Sequence, residues 1–186
     1  MFKQTALPGV VEIQPRRFGD ARGYLCETWN AARYAEGGIT EEFFQDNLSY
    51  SKQKGTVRGL HYQLPPRGQA KLVSCIAGRI LDVAVDLRPM SSHRGQAVVL
   101  ELSAEQGNQM FVPSGFAHGF CTLEDDCVIA YKLSSAYAPE AERSIAFDDP
   151  DIRIDWPITR ASAHLSERDA NAISLGVALA ELDGLA

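Results

Sequence analysis

Residues 79–87 read RILDVAVDL, in which Leu81, Val83, Val85 and Leu87 alternate with Asp82, Ala84 and Asp86. A period of two is that of a β-strand with one buried face, because successive side chains leave a strand on opposite sides. The neighbouring segments have the same character. KLVSCIAG (71–78) precedes it; QAVVLELS (96–103), QMFVP (109–113) and CTLEDDCVIAYKL (121–133) follow, all rich in β-branched or aromatic residues. Gly78, Gly95, Gly107 and Gly115 lie between these segments, where hairpins and bulges place glycine. From about Ser49 to Phe147 the chain therefore reads as consecutive antiparallel strands, a mainly β sandwich or small barrel.

Short helices flank this block. TWNAARYAE (28–36) is a candidate that Gly37-Gly38 would stop. Ser166 opens a second, SERDANAISLGVALAEL, with an early acid and good helix formers, which Gly176 would divide in two. DDPDIRIDWP (148–157) has two prolines and no clear period, so it is expected to be an ordered loop. At 186 residues there is room for one domain, 1–186, and 45% hydrophobic with 23% charged residues excludes wholesale disorder. No apolar run reaches the ~20 residues that span a bilayer. Eighteen Lys and Arg against 24 Asp and Glu argue against nucleic acid as the main partner, while a small anion captured by a few arginines is compatible with that balance. Cys26, Cys75, Cys121 and Cys127 form no CxxC pair, which predicts reduced, structural thiols in a cytoplasmic protein.

Two spacings carry chemistry. Gly55 precedes His61 in GTVRGLHYQ, and Gly107 and Pro113 precede Gly115 and His118 in PSGFAHGF. They resemble the two motifs of the cupin superfamily, whose fold is an antiparallel β-barrel or jelly roll with its active site inside. The metal ligands of that superfamily are not kept. Gln63 stands where a second histidine would be, and Leu64–Lys71 contains no carboxylate. His61 and His118 with one weak amide, near Arg58 and Lys71, make a poor divalent-metal site, so no metal and no cofactor are expected. What remains is too polar for a strand core with nothing to bind: Arg58, His61, Gln63, Lys71, His118, Tyr131 and Tyr137.

RGLHYQ, QAKLV, FVPSGFAHGF and YKLSSAYAPEAE, with FGDARGYLCETWN and FQDNLSYS upstream and DIRIDWP and LSERDA downstream, resemble the dTDP-4-dehydrorhamnose 3,5-epimerase family in register from about Leu7 to Ala170. The resemblance implies a dTDP-linked 4-keto-6-deoxy hexose as substrate, inverted next to its ketone by proton removal and return, and a homodimer. It implies His61 as general base oriented by Asp169, Lys71 on the developing enolate oxygen, and Tyr131 as the acid. It assigns Arg22, Glu27, Gln45, Asp46, Asn47, Arg58, Gln63, His118, Tyr137, Glu142 and Arg168 to substrate contacts, with Tyr137 stacking on thymine. Arg168 departs from the lysine many members carry before that aspartate. Two other readings stay open: a metal-dependent cupin enzyme, which a metal assay separates, and a sugar-nucleotide-binding cupin that exchanges no substrate protons.

Overall fold

A computed structural model describes residues 1–185. Two antiparallel sheets face each other. One, of six strands, runs in the order β1 (Phe2–Gln4), β2 (Val11–Ile13), β10 (Gln109–Val112), β7 (Lys71–Ala77), β12 (Cys127–Leu133), β5 (Gln45–Ser51). The other, of five, runs β13 (Glu142–Ser144), β6 (Val57–Gln63), β11 (Phe116–Thr122), β8 (Arg79–Asp86), β9 (Ala97–Ser103). Strands β3 (Arg17–Asp20) and β4 (Gly23–Cys26) form a separate hairpin. The expected cupin-like jelly roll is therefore present, and strand structure begins earlier than Ser49, in four short N-terminal strands and the first half of β5. These were missed because VEI and FKQ are too short to show a period.

Between the sheets, Val73, Cys75, Met110 and Ile129 of one pack on Ile80, Ala84, Leu102 and Phe120 of the other. The alternation in 79–87 has its apolar face turned outward. Val83, Val85 and Leu87 pack against Leu175, Ala178 and Leu182 of α3 (Leu175–Asp183). Burying each of those leucines stabilises the fold by about 1.5–3 kcal/mol. Asp82, Ala84 and Asp86 face the other way and are fully buried, so both faces of β8 are covered, not one.

Helix α1 spans Ala31–Glu36, shorter than the expected 28–36, because Asn30 caps it by accepting from the Arg33 N–H. Gly37 ends it and Gly38, at φ +85°, turns the chain away. The C-terminal stretch is two helices, but the break falls at Asn171–Ser174 and Gly176 lies inside α3. Serines decide this: Ser166 caps α2 (Glu167–Ala170) and Ser174 caps α3. Residues 148–157 form a loop without helix or strand. Cys75, Cys121 and Cys127 are buried and all four thiols are free.

Candidate active site

A cavity of about 670 Å³ opens between the sheets. Period two decides what enters it. Along β5, Gln45, Asn47 and Ser49 line the cavity; along β12 Tyr131 and Leu133 do, and Lys71 enters at the start of β7. These form one wall. His61 of β6 and His118 of β11 line the opposite wall, directly paired across the two strands. That pairing needs two glycines. A Cβ on Gly59 would sit 2.6 Å from Gly119 Cα, and Gly59 holds φ +114°; a Cβ on Gly119 would sit 2.7 Å from the Arg58 carbonyl oxygen. Only glycine lets the backbones approach so closely beside the register shift between His118 and Phe120.

Each histidine has a carboxylate partner. His61 Nε2 lies 2.6 Å from Asp169 Oδ1, and His118 Nε2 lies 2.8 Å from Asp82 Oδ1. The carboxylate takes the Nε2–H in each neutral ring, leaving the lone pair on Nδ1. Asp169 is fixed by its own helix start. Ser166 Oγ accepts from the Asp169 N–H at 3.1 Å and donates to Asp169 Oδ2 at 2.9 Å. Burial works to raise the Asp169 pKa, but the bond and charge of His61, the Ser166 hydroxyl and Arg168 outweigh it and hold the carboxyl below its usual range. For His118 burial wins over Asp82 and lowers its pKa, so this ring stays neutral.

Burial also lowers Lys71, to about 8, against the pull of Asp82 and Glu142. It remains mostly a cation at neutral pH. At the mouth, Tyr137 is half exposed and donates to Glu142 Oε2 at 2.6 Å. Glu142 also pairs with Arg168, whose Nη2 stands 3.2 Å from His61 Nε2. Arg58 is anchored by donating to Ser51 Oγ at 3.1 Å and to the Tyr50 carbonyl oxygen at 2.9 Å. A base with its orienting acid on one wall, a hydroxyl and a cation on the other, and arginines at the rim can move protons on a ring-shaped substrate carrying an anion.

Known proteins agree. A sequence model described as dTDP-4-dehydrorhamnose 3,5-epimerase matches residues 4–176. The chain belongs to this epimerase family. It is 46% identical to a dTDP-4-dehydrorhamnose 3,5-epimerase of Sinorhizobium fredii, over 94% of this chain and 89% of that one. It is 45% identical to a dTDP-6-deoxy-D-glucose-3,5-epimerase of Legionella pneumophila solved with dTDP-4-keto-L-rhamnose, at TM-score 0.92 over 98% of this chain and 96% of that one. An epimerase structure from Elizabethkingia anophelis is similar at TM-score 0.90 and 44% identity, covering 95% of this chain and 97% of that one.

Of the residues the family resemblance points to, Gln45, Asn47, Arg58, His61, Lys71, His118, Tyr131, Tyr137, Glu142, Arg168 and Asp169 come together at the cavity. Four do not. Asp46 faces outward between two inward residues and pairs with Lys132 at 2.9 Å. Gln63 is turned away from the cavity: its Nε2 donates to the Arg67 carbonyl oxygen at 2.6 Å and its Oε1 accepts from the Ala138 N–H at 2.7 Å, which ties down the loop carrying Tyr137. Arg22 and Glu27 belong to the protruding hairpin and its exit, where Arg22 pairs with Asp20 at 2.6 Å and Glu27 with Arg33 at 2.9 Å. Asp82 and Ser166 were missed as site residues. Asp82 shares a strand face with Ala84, an available sign that this face is not solvated. Ser166 was read only as a helix start.

Proposed function

We propose that the chain is an isomerase that inverts carbons 3 and 5 of a dTDP-linked 4-keto-6-deoxy hexose, taking dTDP-4-dehydro-6-deoxy-D-glucose to dTDP-4-dehydro-L-rhamnose. The observation that carries this is the placement of the His61–Asp169 pair and Tyr131 on opposite walls of one cavity. Inversion requires a proton to leave one face of the sugar and another to arrive on the opposite face. His61 Nδ1 takes the proton from carbon 5 or carbon 3. The electron pair moves into a carbon–carbon double bond and the carbon 4 carbonyl becomes an enolate, which the Lys71 ammonium stabilises. The Tyr131 hydroxyl then gives its proton to the other face as the enolate collapses to the ketone. Asp169 holds the ring tautomer and stabilises the imidazolium. The tyrosinate and imidazolium return to their starting states by exchange with solvent.

The substrate's own ketone acidifies the hydrogens, so the scheme needs no metal or nicotinamide. Among the described residues no three His, Cys, Asp or Glu side chains form a ligand set. Gln45, Asn47 and His118 would hold the sugar, Arg58 and Arg168 the diphosphate, and Tyr137 the thymine ring.

The hairpin supports a homodimer. Phe18, Tyr24 and Leu25 are exposed there, as are Phe44 just before β5 and Leu48 and Tyr50 along it, β5 being an edge strand of its sheet. A second copy would cover both apolar surfaces and the free edge, and would give Arg22 and Glu27 a partner's cavity to serve. Sedimentation at micromolar concentration is expected to show a dimer.

The function is tested by incubating the protein with the keto-sugar nucleotide in heavy water and following carbons 3 and 5 by NMR. Deuterium at both positions with inversion, undiminished by chelators, is the expected result. Nucleotide binding without exchange would make the chain a binding cupin, and activity restored only by added metal would make it a metal-dependent one.

A further inference from the structure

Arg168 is held in a position that its neighbour His61 cannot explain. His61 Nε2 carries a single bonding direction, already taken by Asp169 Oδ1 at 2.6 Å. The Arg168 N–H groups therefore find no lone pair there, and Nη2 at 3.2 Å sets a guanidinium beside a ring that must itself become a cation. Glu142 supplies the attraction. Its carboxylate pairs with Arg168 Nη1, is largely buried, and is held in place by the Tyr137 hydroxyl at 2.6 Å. Tyr137, Glu142 and Arg168 thus form a chain across the mouth of the cavity that ends on the catalytic base.

We propose that this chain is a latch released by the substrate's diphosphate. In this reading, which rests on the nucleotide-sugar function above, the incoming diphosphate competes with Glu142 for Arg168. Two phosphate groups offer the planar guanidinium a bidentate partner of greater charge than one carboxylate. Arg168 swings from Glu142 to the diphosphate, and the positive charge leaves the side of His61 as the sugar arrives. Arg168 is then a phosphate ligand whose charge is drawn away from the base when the substrate binds. Glu142 competes with the nucleotide for Arg168.

Calorimetry with dTDP alone, which binds without turnover, separates the two roles. Glu142→Gln is close to isosteric and removes the competitor, so dTDP should bind several-fold more tightly. Arg168→Met should bind about tenfold or more weakly, with the loss appearing in KM. The deciding measurement is the double variant. A latch requires the gain from Glu142→Gln to vanish once Arg168 is gone, whereas simple removal of a negative charge near a phosphate site would give the same gain in both backgrounds. Arg168→Lys, which keeps the charge, should recover most of the affinity lost in Arg168→Met. Tyr137→Phe keeps the stacking ring but frees Glu142, and should shift affinity in the same direction as Glu142→Gln by a smaller factor. Weaker dTDP binding by Glu142→Gln, or a gain that persists in the Arg168→Met background, overturns the latch and leaves the epimerase reading intact. Failure of the unaltered protein to bind dTDP overturns both.

Discussion

The two histidine–aspartate pairs of the cavity have nearly equal separations and opposite surroundings. His118 and Asp82 lie on adjacent strands of one sheet, their side chains almost wholly buried, and Asp82 Oδ2 has no hydrogen-bond partner among the described residues. His61 also sits on that sheet, but its partner arrives from α2, and the ring retains a fifth of its exposure toward the cavity. Desolvation keeps the first histidine neutral. In the second pair the carboxylate is fully engaged, by His61 and by the Ser166 hydroxyl, and is held ionised. The same two residue types thus give a buried hydrogen-bonding ring in one place and, in the proposed mechanism, the base in the other. Burial and the second oxygen's partner decide which.

The largest difference between the pairs should appear when the rings are removed. His61→Ala is expected to lose about 10²–10⁴-fold in turnover and, in heavy water, to lose deuterium incorporation as well, because no enolate forms without a base. His118→Ala should weaken sugar binding while the surviving product still carries deuterium. On the facing wall, Tyr131→Phe should allow deuterium to enter on the His61 side with little inverted product. Normal inversion by Tyr131→Phe would remove it as the acid, and near-normal turnover by His61→Ala would end the assignment of these walls. The carboxylates come next. Asp169→Asn should resemble a weakened His61 variant, slower by about tenfold or more, since the ring remains but its charge partner is gone. Asp82→Asn should slow turnover by only a few-fold at pH 7; equal losses would make the pairs equivalent.

Much of this was legible in the sequence, and for identifiable reasons. The Gly55–His61 and Gly107–Pro113–Gly115–His118 spacings implied the barrel through their resemblance to the cupin motifs, whereas Gly59 and Gly119, whose close approach lets the two histidine strands meet, stood out only in the structure. Tyr131, Lys71 and Asp169, which the fold brings to one cavity, were singled out through several family motifs in register, since each alone reads as an ordinary strand or helix residue. What failed was direction. The alternation in 79–87 identified a strand, but an apolar face says only that something covers it, and here that cover is α3 rather than the barrel interior. Asp82 was lost through this inversion. Asp46 sits between the cavity-lining Gln45 and Asn47, so strand period turned it away, while Gln63, two residues beyond His61, has its amide tied to Arg67 and Ala138 instead. Arg22 and Glu27 depend on where a protruding hairpin ends, which local sequence does not encode.

Lys71 offers a finer test of what Asp82 does. With its pKa lowered to about 8 by burial, Lys71 loses its proton within the working range, so activity should fall along an alkaline limb centred near pH 8. Asp82 and Glu142 act to raise Lys71. Asp82→Asn should therefore move the alkaline limb to lower pH, while Asp169→Asn, whose carboxylate is not among the groups acting on Lys71, should leave it in place. A pH–rate profile in the two variants makes the comparison. An unmoved limb in Asp82→Asn would mean that the His118–Asp82 pair does not support the oxyanion cation.

The smallest effect is on stability, and its sign differs in timing between the pairs. His118 has a folded pKa below its unfolded value near ~6.5. As pH falls past that value the unfolded chain takes up the proton first, so stability is lost progressively from about pH 6.5 downward. Asp169 has a folded pKa below the ordinary carboxylate value. Its contribution is complete above about pH 4 and is lost only as pH falls from there through the folded value. Between pH 6.5 and 5 the histidine alone of these two should therefore contribute a slope, at most ~1.4 kcal/mol per pH unit for one proton. Urea unfolding at closely spaced pH values should show that slope in the unaltered protein and a flatter one in His118→Gln, which keeps an amide donor toward Asp82. Asp169→Asn should lower stability at pH 7, where the Asp169 contribution is complete. The same slope in His118→Gln as in the unaltered protein would show that His118 is not held neutral by its burial, and the contrast between the two pairs would then rest on Asp169 alone.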